Sequence, residues 1–193
     1  SLSEVRREVL VGQQLTEILP TIFSDQKRTV AVVIQDSAEL RATGGFVQSI
    51  ALLTFEQGKL TDVKMLKPDD ISTALSGIVA PPEEITQFLK ETQWFVRDAN
   101  WNPDFEVTAK QIAWFLDKGT GTQVDGVVAL NTSSLAQIVG VFGSVKLSDF
   151  GDAEITDKNL SERAFSSAKA SLTENDPALS DKNFLESVFV AVL

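Results

Sequence analysis

The chain predicts an α/β fold in which a mixed central β-sheet is flanked by helices, and three observations carry that expectation. Thr29–Gln35 is a near-continuous apolar, β-branched run of the kind found in strands buried on both faces, and Val124–Leu130 reads as another buried strand. Residues 46–55 and 60–66 flank Glu56-Gln57-Gly58-Lys59, a tight-turn signal that predicts an antiparallel hairpin. Helical periodicity returns between and after these runs, so strands alternate with helices through most of the length.

Taken in order, Val5, Val9, Leu15, Ile18 and Ile22 fall at roughly helical spacing. Ser1 and Glu4 stand like a capping box and Pro20 as a stop, which predicts an N-terminal helix over 1–22. The first strand and the hairpin follow. Pro81-Pro82 opens a short helix through Leu89, since proline is tolerated in a first turn. Trp94–Phe105 mixes aromatics with Arg97, Asp98, Asn100 and Asp104 at no simple period, and is expected to be a short strand breaking into a functional loop. Phe105–Lys118 gathers Phe105, Ala109, Ile112, Ala113 and Leu116 on one helical side, with Asp104 as its cap. After the strand at Val124–Leu130, Asn131-Thr132-Ser133-Ser134 caps a helix over Leu135–Val141, and Ser144–Leu147 is a short strand. Asp157–Ser171 and Asp181–Leu193, the latter within a closing helix placed over 178–193, are separated by a polar linker containing Asn175-Asp176-Pro177. One domain over 1–193 is expected. The start without Met and the apolar end at Phe189–Leu193 suggest a piece of a longer, membrane-anchored protein.

With 193 residues, 43% of them hydrophobic, the chain can bury a proper core. It has no histidine, cysteine or tyrosine, which excludes Ser-His-Asp and Cys-His catalysis, thiolate chemistry and the usual zinc sites. A net charge of −10 without a basic stripe argues against a nucleic-acid partner. No apolar run reaches membrane-spanning length. Asp69-Asp70, Glu83-Glu84 and the acids between Asp149 and Asp157 read as solvated surface.

The candidate site is the loop after the first strand, Asp36-Ser37-Ala38-Glu39-Leu40-Arg41-Ala42-Thr43-Gly44-Gly45. In open α/β sheets ligands bind beyond the carboxyl ends of strands, and this loop brings an acid, an arginine and paired glycines there. Paired glycines let the backbone turn tightly and aim N–H groups at an anion, while a guanidinium grips two oxygens at once. Arg6, Arg7, Arg28 and Arg163 sit in ordinary charged or helical surroundings. Arg41 and Arg97 sit in loops rich in Gly, Asn, Asp and Trp, and are the candidate anion ligands, with Asp36 and Asp98 as candidate metal ligands. Trp94 and Trp101 suit an apolar groove for a lipid or a sugar ring, or simply the core.

The loop 35–46, the turn at 56–59 and the segment Arg97–Phe105 resemble the bacterial envelope family DUF4012, a domain of unknown function, over essentially the whole chain. Val124–Asn131 and the following helix resemble that family too. The family in turn resembles the LytR-CpsA-Psr proteins, which transfer lipid-linked glycopolymers to the cell wall. In those enzymes a strand ends in Asp, an Arg-Ser-Asp-Thr motif opens the next strand, and a later Pro-Arg-Asp-Thr segment completes a polyprenyl-pyrophosphate and magnesium site. The resemblance implies a LytR-CpsA-Psr-like fold and makes Asp36, Arg41, Arg97 and Asp98 the candidate catalytic residues. It implies ligand contacts from Arg41, Thr43, Gly44, Gly45, Arg97, Asn100, Trp101 and Lys182, and Mg2+ held by Asp36 and Asp98. The implied ligand is a phosphate-containing, polyprenyl-linked glycopolymer precursor or a cell-wall polymer, met outside the cytoplasm at the cell envelope. Thr43 stands where the transferases carry a second acid, and Lys182 alone stands where they carry an arginine-rich segment. The alternative expectation is therefore a non-catalytic module that binds envelope polymer or a protein.

Overall fold

The computed structural model describes residues 25–173 and 183–193, so the helix expected over 1–22 and the candidate Lys182 lie outside the described residues. Strand β1 (Arg28–Asp36) pairs antiparallel with β2 (Phe46–Glu56) and parallel with β4 (Gly126–Asn131). β2 pairs antiparallel with β3 (Lys59–Leu66), giving the order β3-β2-β1-β4. The sheet is therefore mixed, as the sequence predicts. Its hairpin turns at Gln57 and Gly58, whose φ angles of 52° and 72° are both positive, the backbone twist that suits two-residue connections between twisted strands.

Because β1 has a strand on each side and helices on both faces, its apolar run feeds two cores. Val32 and Ile34 join Ala51 and Leu53 on one face, while Ala31 and Val33 join Val47, Ile50 and Leu52 on the other. Each such Val or Ile, fully buried, contributes about 1.5–3 kcal/mol relative to exposure. Against the second face pack α1 (Pro68–Thr73) through Ile71, the 3-10 segment Val96–Trp101 through Val96 and Ala99, and α3 (Phe105–Thr120) through Ile112, Phe115 and Leu116. Between α1 and the 3-10 segment lies α2 (Glu83–Leu89), which follows Pro81-Pro82 and buries Ile85. The first face is covered by α4 (Thr132–Phe142), α5 (Leu160–Thr173), α6 (Phe184–Ala191) and the ribbon of β5 (Val145–Leu147) with β6 (Ala153–Ile155). Caps fall where side-chain chemistry places them: Asp104 accepts from the Glu106 N–H, Asn131 from Ser134 and Asn183 from Glu186.

Two expectations need correction. Trp94–Phe105 contains no strand. Its backbone groups are satisfied locally, the Asp98 N–H donating to Phe95 O at 3.0 Å and the Val96 N–H to Ser72 Oγ at 3.0 Å, so a 3-10 turn forms where a ladder would need a partner strand. The strand expected at Val124–Leu130 runs Gly126–Asn131 and is half-buried throughout, because it is the edge of the described sheet. Helix α1 and strand β6 carried no sequence signal strong enough to be expected.

Candidate functional site

A register shift between Ile34 and Gln35 in the pairing with β2 re-aims the last residues of β1. Beyond it the chain folds back in a tight loop. The Glu39 N–H donates to Asp36 O at 3.3 Å, the Gly44 N–H to Arg41 O at 3.1 Å and the Phe46 N–H to Glu39 O at 3.1 Å. Gly45 passes so close to the start of the loop that a Cβ there would stand 2.3 Å from Asp36 O and 2.8 Å from Ser37 N, at a φ of 149°. The glycine is required by this crossing of two backbones. The N–H of Gly44 closes the loop on itself.

Asp36 is 2% exposed. Its Oδ1 accepts from the Ala38 N–H at 2.9 Å and its Oδ2 from Gln48 Nε2 at 3.1 Å, so both oxygens anchor the loop to its neighbours. Thr43 Oγ1 accepts from Gln35 Nε2 at 2.8 Å and from Asn100 Nδ2 at 3.1 Å. Asn100, fully buried, also donates to Gly45 O at 2.7 Å. These bonds stitch the loop after β1 to the 3-10 segment and hold the two candidate arginines at one end of the sheet.

Arg41 and Arg97 meet at Asp98. Arg41 Nη2 lies 3.4 Å from Asp98 Oδ1 and Arg97 Nε 3.6 Å from Asp98 Oδ2. The Asp98 side chain is only 4% exposed, against 16% for Arg41 and 28% for Arg97. Burial pushes the Asp98 carboxyl above its ordinary value, opposed by the adjacent Arg41 and Arg97 guanidinium groups. Arg97 has further acidic partners in Asp69 at 2.7 Å and Glu91 at 3.5 Å, and covers the Phe95 ring at 4.2 Å. Arg41 covers Phe46 at 5.1 Å, donates to Leu40 O at 3.1 Å, and leaves its buried Nε without a partner. Among the described residues, Gln35 Oε1, Arg41 Nε and Asn100 Oδ1 are three of five buried side-chain polar atoms that lack a partner.

The structure thus gathers Asp36, Arg41, Thr43, Gly44, Gly45, Arg97, Asp98 and Asn100 around the carboxyl end of β1. Trp101 is half-buried at the end of the 3-10 segment. Trp94 lines a groove of about 250 Å³ with Val107, Lys110, Gln111 and Trp114. Sequence reasoning missed Gln35, Gln48, Asn131 and Trp114, and did not foresee that Asp69, exposed as expected, pairs with Arg97. Gln35 had a signal, a polar side chain closing an otherwise apolar run; the others depend on contacts between distant segments.

As arranged here the donor set does not fit a magnesium ion. Both Asp98 oxygens face guanidinium groups, both Asp36 oxygens accept N–H bonds, and among the described residues no three acidic side chains gather as a metal cluster. No helix of the described residues is long and apolar enough to cross a membrane.

A family model described as "Protein of unknown function (DUF4012)" matches residues 25–167, which include every candidate discussed above except Lys182. No curated protein matches the chain in sequence. Among solved structures, the chain is similar to the crystal structure of the transcriptional regulator yvhJ from Bacillus subtilis, at 14% identity and a TM-score of 0.45, over 87% of this chain and 69% of that one.

Proposed function

The chain belongs to the DUF4012 family of proteins of unknown function, and on that premise we propose that it binds the phosphate of a polyprenyl-linked cell-envelope precursor between Arg41 and Arg97. The observation that carries this reading is that two guanidinium groups, one from the loop after β1 and one from the 3-10 segment, turn toward one buried carboxylate at the carboxyl end of β1, where α/β sheets receive ligands. Arg41 is the principal ligand. Among the described residues its acidic partner is Asp98, at 3.4 Å, whereas Arg97 is held by Asp69, Glu91 and Asp98, so Arg41 has more donor capacity to offer. Burial raises the Asp98 carboxyl above its ordinary value against the pull of Arg41 and Arg97, and this lessens the repulsion that a phosphate beside it would meet.

The resemblance to the LytR-CpsA-Psr proteins supports the lipid-linked identity of the ligand and an extracytoplasmic place of work at the cell envelope. Within this reading the domain binds and does not transfer. Transfer would ask Asp36 for a free carboxylate, and both its oxygens are engaged in holding the loop. The test is a calorimetric titration of polyprenyl phosphate into the domain, with and without magnesium, repeated with Arg41→Ala. Loss of a charge-assisted contact is expected to weaken binding by about tenfold or more, with no requirement for magnesium. Equal affinity for the variant would remove the proposal, and binding only with magnesium would restore a metal role.

A further inference from the structure

β2 approaches the site through a bulge. Its register with β1 pairs Ile34 with Ser49 and then Gln35 with Val47, so Gln48 has no counterpart there, and its register with β3 begins only at Ile50. A residue left out of both ladders satisfies its backbone elsewhere. The Gln48 carbonyl accepts from Asn183 Nδ2 at 3.2 Å, while its side-chain Nε2 donates to Asp36 Oδ2 at 3.1 Å.

The start of α6 thus grips the bulge. Asn183 holds Gln48, and Glu186 Oε2 accepts from the Oγ of the fully buried Ser49 at 2.7 Å. The helix is itself anchored, with Phe184, Leu185, Val188 and Phe189 buried in the first core. Beyond Gln48 the hydrogen bonds continue into the loop, since Asp36 Oδ1 accepts from the Ala38 N–H at 2.9 Å. One path therefore runs from Asn183 through Gln48 and Asp36 to the loop that carries Arg41.

The Asn183 amide is divided between two tasks. Its Oδ1 accepts from the Glu186 N–H at 3.1 Å and caps α6, which Asp or Ser would do equally well. Its Nδ2 serves the Gln48 carbonyl, which an ionised aspartate, having no donor, could not. Capping accounts for the oxygen, and the bulge accounts for the amide nitrogen.

We propose that Asn183 is a positioning residue for the phosphate site: from the N-terminus of α6 it holds the Gln48 bulge and, through Gln48 and Asp36, fixes the loop that presents Arg41. This inference rests on the phosphate reading and adds the closing helix to the parts on which that site depends.

Calorimetric titration of polyprenyl phosphate compares wild type, Asn183→Asp, Asn183→Ser, Gln48→Met and the double variant Gln48→Met with Asn183→Ser. Both Asn183 replacements keep a capping oxygen and lose the amide N–H, so Tm should stay close to that of wild type. Agreement between them rules out an effect of the added charge. Each single variant should bind about fivefold more weakly, and the double variant no more weakly than Gln48→Met alone, because both changes cut one path. Hydrogen exchange of the ligand-free proteins supplies a readout that helix stability does not move: the Ala38 N–H should exchange faster in both Asn183 variants while the capped Glu186 N–H stays protected. Wild-type affinity in both Asn183 variants, additive losses in the double variant, or unchanged exchange at Ala38 overturns the positioning role and leaves the phosphate reading standing. Failure of wild type to bind the probe overturns the phosphate reading, and the positioning role with it.

Discussion

The loop that follows β1 and the 3-10 segment meet at one site but are held in different ways. The loop is fixed by main-chain hydrogen bonds and by Gly45 lying against the Asp36 backbone, so its shape is set by steric fit. The segment is fixed at its buried side by Val96, Ala99 and Asn100, and at its outer side by charges, with Arg97 shared among Asp69, Glu91 and Asp98. Steric fit is insensitive to salt and pH, whereas ion pairs respond to both. Arg41 therefore stands on the rigid partner and Arg97 on the adjustable one.

Gly45→Ala strikes the rigid half and should have the largest effect. Its Cβ would meet backbone atoms that cannot move aside, and the positive φ adds strain, so a loss of about 3 kcal/mol or more is expected in urea denaturation. An unchanged midpoint would show that the loop is not built on this crossing. Asn100→Ala cuts the stitch between the halves, leaving Gly45 O without its donor at a cost of about 2 kcal/mol by the same measurement.

Asp98→Asn tests the electrostatic half through pH. Burial, opposed by Arg41 and Arg97, raises the folded-state value of this carboxyl above that of the unfolded chain, so the folded protein binds its proton more tightly. The resulting stabilisation is full below the ordinary carboxylate value and declines as pH rises through the folded value. The Tm of wild type minus that of Asp98→Asn should accordingly fall with rising pH across the acidic range and level off above it. A difference that grows with pH would mean that the arginines outweigh burial. Smallest of all, Asp69→Asn removes an exposed partner of Arg97 and should cost no more than about 1 kcal/mol, an effect that fades in high salt.

Much of the fold was legible because the relevant signals are local. The β1 run alternates between two cores and so reads as uniformly apolar, Gln57-Gly58 supplies the two positive φ angles of its hairpin, and Asp104 and Asn131 cap the helices they precede. The 3-10 segment was not legible, since its shape depends on Ser72 Oγ reaching the Val96 N–H and on Asn100 crossing to Gly45, bonds between segments remote in sequence. The same limit applied to the site. Residue types in the loops drew attention to Arg41, Arg97, Asp98 and Gly45, but nothing local pairs Asp98 with both arginines or brings Gln35 and Asn131 against Gly44.

The most direct measurement of the central claim is a double-mutant cycle on Arg41 and Arg97, read as affinity for polyprenyl phosphate. If both side chains address one phosphate, each single alanine variant weakens binding by about tenfold or more, Arg41→Ala the more, and the double variant shows a loss that departs from the sum of the two. Three variants that bind as tightly as wild type would contradict the account.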